Sequence, residues 1–163
     1  MIQLRLQDGY CIDTNALIDI HNHYYPPDIF PGLWKDIEEL VNQGVLIAPG
    51  EVFSEICAKD DGLAKWVIAK KSKMIIALDT DQIQIVQSIV KNFPGLIDYN
   101  RTIPDADPFV IALAKCRSWP VITSEKPSNS IVKPKIPNVC KSLNVKCIKI
   151  LDFFRESGLV YIR

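Results

Sequence analysis

The sequence predicts an α/β fold in which a parallel, Rossmann-like sheet is flanked by helices. Short apolar strands alternate with amphipathic helices along the chain, and this alternation is typical of parallel sheets. The first unit spans residues 10–20, where a strand ends at Asp13 and a helix follows at once with Asn15 as its expected N-cap. A carboxylate at the end of such a strand points into the crevice where open α/β sheets bind ligands. Asp13 is therefore the first site candidate.

The length and composition bound the architecture. A chain of 163 residues is expected to form one domain, residues 1–163, in which residues 1–9 add an edge strand or an ordered arm because apolar and polar side chains alternate there. The hydrophobic fraction of 48% and the charged fraction of 23% are those of a folded globular protein. Nineteen basic and nineteen acidic residues cancel, so overall charge does not point to nucleic acid or to a membrane surface.

The cysteines and the apolar runs indicate a cytoplasmic protein. The five cysteines are odd in number and include no C-x-x-C pair, which suits free thiols in a reducing compartment and gives no zinc pattern. The N-terminus lacks a signal-peptide apolar region, and the apolar runs fall short of the ~20 residues that a membrane span needs. We therefore expect no membrane association.

The next elements are a loop, a helix and a second strand. Three prolines and a glycine in residues 21–32 predict an irregular loop. Residues 33–43 predict a helix that ends at Gly44. Its expected apolar face consists of Leu33, Trp34, Ile37, Leu40 and Val41. Residues 45–48 predict a buried strand.

A helix over residues 50–58 carries the second site candidate. At 100° per residue, Glu55 lies closer to the apolar face of this helix than Glu51 does. Taken alone, Glu55 is more simply interpreted as a solvated glutamate that compensates the helix dipole. A short helix over residues 62–71 and a second helix capped within residues 79–81 are interpreted as architectural.

Residues 104–115 predict a central helix whose entrance carries two acids. Asp107 is the expected N-cap and Pro108 the first helical residue, and the following segment is apolar on nearly all sides. Capping explains Asp107 alone, whereas burying part of Asp105 as well is costly unless a cation or solvent is present. A strand over residues 120–124 is then followed by Glu125, in the same relation to its strand as Asp13.

The C-terminal part is basic. Residues 126–151 contain six lysines and no acid, and they are expected to include a short helix over 137–143 and a strand over 145–150, before a last helix over 151–157. Such a block beside acidic residues would let a polyanion approach a metal site, although a solvated lysine face is the simpler interpretation. The six are Lys126, Lys133, Lys135, Lys141, Lys146 and Lys149.

The acids at strand ends and helix entrances suggest one metal site. Carboxylates that converge raise one another's pKa, and a hard divalent cation such as Mg²⁺ or Mn²⁺ relieves that repulsion. Such an ion can activate water for attack on a phosphodiester. No G-x-G-x-x-G or G-x-x-x-x-G-K motif supports a dinucleotide or P-loop site. An aspartyl phosphatase usually has Asp two residues after the first Asp, where this chain has Asn15.

The ordered acidic motifs resemble those of PIN-domain nucleases. They are Ile12-Asp13-Thr14-Asn15, Glu55 in Val52-Phe53-Ser54-Glu55, Asp107 before Ile111-Ala112-Leu113-Ala114, and Thr123-Ser124-Glu125. The loop of residues 24–34 and the tail of residues 135–158 are similar to an uncharacterised PIN-like branch near the VapC toxins. Glu125 stands where the family more often has Asp.

The resemblance implies a three-layer α/β/α PIN domain that cleaves RNA with Mg²⁺ or Mn²⁺. It implies Asp13, Glu55 and Asp107 as metal ligands and Glu125 as a fourth catalytic acid. It also implies Asn15 and Thr123 as polar supports. Outside the family pattern, Asp105 is a supporting candidate that shares or replaces part of the role of Asp107. For the toxin branch the resemblance further implies a cognate antitoxin and a homodimer.

Two functions therefore remain open on the sequence. The first is a metal-dependent ribonuclease toxin to which Lys126, Lys133 and Lys135 bind RNA. The second is a non-catalytic PIN-like module that uses the same basic block to hold RNA or a partner protein. The two differ in whether an acidic site binds a divalent metal.

Overall fold

A five-stranded parallel sheet forms the centre of the fold. The computed structural model describes residues 9–59 and 61–162, so the edge strand or arm expected for residues 1–9 lies almost entirely outside the described residues. The strands are β1 (Tyr10–Ile12), β2 (Leu46–Pro49), β3 (Ile75–Ile76), β4 (Val121–Ile122) and β5 (Cys147–Ile148). Their spatial order is β3-β2-β1-β4-β5, with every pair parallel. The central strand is β1, in which Cys11 is aligned with Ile47 of β2 and Val121 of β4.

Helices cover the sheet and complete a three-layer α/β/α fold. They are α1 (Thr14–Ile18), α2 (Pro31–Asn42), α3 (Gly50–Lys59), α4 (Asp61–Met74), α5 (Thr80–Asn92), α6 (Asp107–Arg117), α7 (Ile136–Ser142) and α8 (Ile150–Glu156). A π-helix (Asp19–Tyr24) continues α1, and a 3-10 helix (Pro94–Leu96) follows α5. The α6 helix packs on β1, β2 and β4 between α5 and α7. The helices α2, α3 and α4 each contact β2, and α4 also contacts α2 and α3. The predicted fold class is thus confirmed.

The apolar faces expected for α2 and α6 are buried in the core. All five residues of the expected apolar face of α2 are buried, and α2 ends just before Gly44, whose φ of +73° suits glycine. The α6 helix is buried on nearly all sides, as expected of a central helix. Its residues from Val110 to Ala114 are all fully buried. This burial fixes the entrance of α6 at the carboxyl edge of the sheet.

The cap expected within residues 79–81 is confirmed, because the Asp79 side chain accepts a hydrogen bond from the Gln82 amide at the start of α5. The other two expected N-caps are wrong by one or two residues. Asp13, not Asn15, caps α1, because its side chain accepts a hydrogen bond from the Ala16 amide while Asn15 lies exposed inside the helix. Asp107 is the first residue of α6, and the N-cap position belongs to Ala106, which makes no side-chain capping bond. Capping therefore does not explain the carboxylate of Asp107.

Two further expectations need correction. The segment expected to be an irregular loop from residue 21 begins as the π-helix Asp19–Tyr24, because its prolines start only at Pro26 and leave the preceding backbone free to coil. The two-residue strand β3 was not predicted, because Ile75–Ile76 is too short for a periodic pattern. Within the described ranges, no helix has the length and apolar character needed to cross a bilayer.

Candidate active site

Asp13 lies at the carboxyl end of the central strand and is 2% exposed. Its Oδ1 accepts a hydrogen bond of 2.6 Å from the Ala16 amide, and its Oδ2 accepts one of 2.5 Å from the Thr123 hydroxyl. Burial raises the pKa of Asp13 to about 7 against the opposing effect of these hydrogen bonds, and the negative charge of Glu125 adds to the rise. Asp13 is therefore a fixed carboxylate that is costly to ionise.

Thr123 and Glu125 follow β4, beside the end of β1. The Thr123 hydroxyl also accepts a hydrogen bond of 3.1 Å from the Glu125 amide, so it is bound on both sides. The Glu125 side chain extends to the start of α7, where its Oε2 accepts a hydrogen bond of 3.0 Å from the Ile136 amide. One Glu125 oxygen thus has a structural partner at a helix N-terminus, where a carboxylate is electrostatically favoured.

Glu55 projects from α3 and is 4% exposed. Its Oε1 accepts a hydrogen bond of 2.7 Å from the amide of Ala106, which links α3 to the entrance of α6. Its Oε2 lies 3.4 Å from Lys59 Nζ and 3.4 Å from Arg101 Nη2. The negative charge of Glu55 is therefore already compensated by two cations.

Asp105 shares one of these cations. Its Oδ1 lies 3.4 Å from Arg101 Nη1 and the same distance from the Asp107 amide, and its Oδ2 accepts a 3.4 Å hydrogen bond from the Asp98 amide. The sequence required a cation or solvent beside Asp105, and the structure supplies the guanidinium of Arg101. Asp105 thus contributes to the arrangement of the loop before α6.

Asp107 differs from the other four acids of the site, because its carboxylate has no partner among the described residues. No donor among residues 9–59 and 61–162 forms a hydrogen bond or ion pair with its carboxylate. Burial raises the pKa of Asp107 to about 8, and the negative charges of four other acids add to the rise. These acids are Asp105, Glu125, Asp13 and Glu55. The structure therefore brings all five expected acids into one electrostatic neighbourhood.

The chemistry of this neighbourhood fits a hard divalent cation, but the present arrangement of the side chains does not. The acids offer only oxygen donors, which Mg²⁺ and Mn²⁺ prefer. In the described part of the chain, however, no three His, Cys, Asp or Glu side chains are arranged to hold one metal ion. Glu55 is turned to Arg101 and Lys59, and Glu125 is turned to α7. Metal binding would require these contacts to change.

The expected RNA-binding lysines lie on the loop between β4 and α7. Lys126, Lys133 and Lys135 are exposed, and none is paired with an acidic side chain of the described residues. Asn138 holds the loop, because its Oδ1 accepts hydrogen bonds from the amides of Ser128 (2.8 Å) and Lys135 (2.9 Å). This loop begins directly after Glu125, so the chain connects the lysines directly to the cluster of acids.

Three contributing residues escaped the sequence interpretation. Lys59 lies one helical turn after Glu55, and this spacing was a usable signal. Arg101 lies four residues before Asp105 in an irregular segment, where spacing does not predict contact. Asn138 acts through backbone amides of a loop, for which the sequence has no pattern.

The fold is similar to solved structures. VapBC2 from Rickettsia felis, bound to a DNA fragment from their promoter, matches with a TM-score of 0.52 and 14% identity, covering 86% of this chain and 97% of that one. VapBC-1 from nontypeable Haemophilus influenzae matches with a TM-score of 0.54 and 11% identity, covering 86% and 96%. FitAB bound to the IR36 DNA fragment matches with a TM-score of 0.52 and 16% identity, covering 86% and 94%. At these identities the likeness shows the α/β/α fold of PIN domains.

A family model places the chain more directly. No curated protein matches this chain. Residues 10–161 match the model of the family described as a domain of unknown function, DUF4411, and this match includes all five acids of the candidate site. The chain therefore belongs to the DUF4411 family.

Proposed function

We propose that this protein is a ribonuclease that uses Mg²⁺ or Mn²⁺ to hydrolyse RNA phosphodiester bonds. The observation that carries the proposal is the carboxylate of Asp107, which is mostly buried, unpaired among the described residues and surrounded by four other acids. A carboxylate in such a position either binds a proton or binds a cation. A divalent cation is the ligand that lets several of these acids ionise together.

The acids fall into three groups in the proposed site: metal ligands, a further catalytic acid and a support. Asp13, Glu55 and Asp107 would hold the metal ion, and Glu125 would be the fourth catalytic acid. Thr123 positions Asp13 through its 2.5 Å hydrogen bond, while Asp105 and Asn15 support the site from its margin. When bound, the cation would activate water and stabilise the charge that develops on the phosphodiester.

The loop between β4 and α7, which carries Lys126, Lys133 and Lys135 and is called the basic loop below, favours RNA as the substrate. Lys126, Lys133 and Lys135 are exposed and carry no described acidic partner, so their charge is available to phosphates. The loop starts next to the cluster of acids. Without the positive charge of the loop, these acids would repel a polyanion. Lys126, Lys133 and Lys135 would thus hold the RNA backbone beside the reacting phosphate.

We further propose that the protein is the toxin of a VapBC-like pair and acts in the cytoplasm, with a cognate antitoxin and as a homodimer. Support comes from the loop of residues 24–34 and the tail of residues 135–158, which are similar to a PIN-like branch near the VapC toxins, and from the fold shared with VapBC and FitAB chains. Induced expression of the wild type should arrest growth, and expression of Asp107→Asn should not. If both proteins impair growth equally, toxicity does not depend on Asp107, and the proposal that the site causes toxicity is contradicted.

Cleavage of RNA by the purified protein is the direct test. Wild type with Mn²⁺ or Mg²⁺ should cut several RNAs, and Asp13→Asn and Asp107→Asn should lose activity by more than about 100-fold. Asp28→Asn is the matched control, because Asp28 is an exposed carboxylate in a turn between the π-helix and α2. Absence of cleavage on every RNA, or full activity of Asp107→Asn, would contradict the proposal.

One observation favours a second function. Because Glu55 pairs with Arg101 and Lys59, the present arrangement is also that of a non-catalytic module that binds RNA or a protein through its basic loop. Titration calorimetry separates the two functions. The nuclease should bind Mn²⁺ at a site that Asp107→Asn weakens, whereas the binding module should bind RNA without any Mn²⁺ uptake.

A further inference from the structure

Arg101 occupies a bridging position at the margin of the acidic site. It lies in the segment between the 3-10 helix Pro94–Leu96 and α6, and its side chain is 28% exposed. Its two terminal nitrogens contact different carboxylates, Nη2 at 3.4 Å from Glu55 Oε2 and Nη1 at 3.4 Å from Asp105 Oδ1. A planar guanidinium is suited to joining two carboxylates in this way.

This contact leaves Glu55 without a free oxygen. Oε1 accepts the hydrogen bond from the Ala106 amide, and Oε2 faces both Arg101 and Lys59. A metal ion that uses Glu55 must therefore replace a cation at Oε2. Lys59 is the weaker competitor, because its side chain is 46% exposed and it contacts a single carboxylate from the same helix.

We propose that Arg101 is an internal counter-cation that competes with the divalent metal ion for Glu55, so that metal binding requires Arg101 to leave Oε2. The inference rests on the proposed function, in which Glu55 is a metal ligand. It explains why five acids lie together although no three of the described His, Cys, Asp and Glu side chains are arranged to hold a metal ion. Arg101 is in this view a positioning residue that sets the affinity for metal, not a catalytic residue.

Calorimetric titration of the metal-free full chain with Mn²⁺ tests the competition. Removing a positive charge that lies against the acidic site should tighten metal binding, so Arg101→Gln should lower the Kd for Mn²⁺ by about 3- to 10-fold. Arg101→Lys retains the charge and should remain within about 2-fold of wild type. Lys59→Gln, which removes a more exposed cation from the same carboxylate, is the matched control and should change Kd by less than about 2-fold.

A double variant tests whether Glu55 is the residue for which the two cations compete. Glu55→Gln alone should weaken Mn²⁺ binding, and in that background Arg101→Gln should produce little tightening, because the carboxylate for which the two cations compete is gone. The inference is overturned if Arg101→Gln binds Mn²⁺ no more tightly than wild type. It is also overturned if the tightening persists undiminished without Glu55.

A measurement on the wild type keeps the inference testable if Arg101→Gln does not fold. In the ¹⁵N-labelled protein, the side-chain Nε–H signal that is lost in Arg101→Lys identifies Arg101. On titration with Mg²⁺ this signal should shift as the ion pair opens, and an unmoved signal at saturation would overturn the inference. If wild type and all variants bind neither Mn²⁺ nor Mg²⁺, the proposed function fails together with the inference. If Asp107→Asn abolishes metal binding but Arg101→Gln leaves it unchanged, the inference alone fails.

Discussion

The hydroxyl of Thr123 donates a 2.5 Å hydrogen bond to Oδ2 of Asp13, and it joins the carboxyl ends of the neighbouring strands β4 and β1. Both residues are buried, at 1% and 2% exposure. The same hydroxyl accepts a hydrogen bond from the Glu125 amide. One side-chain oxygen therefore fixes the positions of Asp13 and Glu125, which lie far apart in the sequence.

Replacing this hydroxyl should destabilise the protein. Thr123→Val keeps the shape of the side chain but leaves Asp13 Oδ2 buried without its donor, which costs about 1–3 kcal/mol of the free energy of unfolding. The loss of the donor should also raise the pKa of Asp13 further and thereby weaken any metal site that uses its charged form. Urea denaturation of the metal-free protein measures the change in stability.

Thr14→Val is the matched control. Thr14 is also buried beside Asp13, but its hydroxyl has no hydrogen-bond partner among the described residues. Replacing an unsatisfied hydroxyl by a methyl group should leave stability unchanged or raise it slightly. Equal losses in the two variants would show that the Thr123 hydroxyl has no special role.

The metal-free protein should become less stable as pH rises. The folded state raises the pKa of Asp107 to about 8 and that of Asp13 to about 7, both from ordinary values near 3.8. Between about pH 4 and pH 8 the folded chain thus binds protons that the unfolded chain has released, and stability falls with rising pH through this window. Melting temperatures measured in EDTA from about pH 5 to about pH 8.5 should show this fall.

Asp107→Asn should flatten the same profile. The amide cannot ionise, so the variant should lose less stability at high pH and exceed the wild type in melting temperature near pH 8. Asp28→Asn, at an exposed carboxylate, should follow the wild-type curve. A parallel fall in Asp107→Asn and wild type would mean that Asp107 does not carry the pH dependence.

Much of the fold followed from periodicity. The apolar face of α2 and the continuous apolar character of α6 were readable because helical spacing and burial leave a direct trace in the sequence. The strand β3 could not be predicted, because it has only two residues. The π-helix Asp19–Tyr24 could not be predicted either, because tertiary packing rather than local sequence decides between a π-helix and an α-helix. Short and irregular elements depend on tertiary context that no local pattern encodes.

The proximity of the acids could be predicted from the sequence, but their hydrogen bonds and ion pairs could not. The topology of a parallel sheet brings strand ends together, so the proximity of Asp13 and Glu125 followed from their positions. The pairing of Glu55 with Arg101 did not follow, because it depends on the path of an irregular segment before α6. The sequence therefore predicted that the acids lie near one another, and it missed the cations Lys59 and Arg101 that lie against Glu55.

The exposed lysines of the basic loop should set the affinity for RNA. Lys133→Gln combined with Lys135→Gln should weaken binding uniformly across RNA sequences and reduce the salt dependence of binding by up to about one unit per lysine. Fluorescence anisotropy with EDTA present, so that no cleavage occurs, measures both effects. Lys35→Gln on α2 is the control, and an equal effect of that substitution would assign the binding to overall charge.

Gly95 should control where this loop lies. A Cβ built on Gly95, in the 3-10 helix Pro94–Leu96, would lie 1.7 Å from the backbone oxygen of Val132, so the loop or the helix has to move to admit a side chain. Gly95→Ala should therefore cost about 1–3 kcal/mol of stability and weaken RNA binding by displacing Lys133. Gly32→Ala is the control, since open space surrounds that position. Urea denaturation and anisotropy test the two effects, and a Gly95→Ala variant with wild-type stability and RNA affinity would show that this close approach does not position the loop.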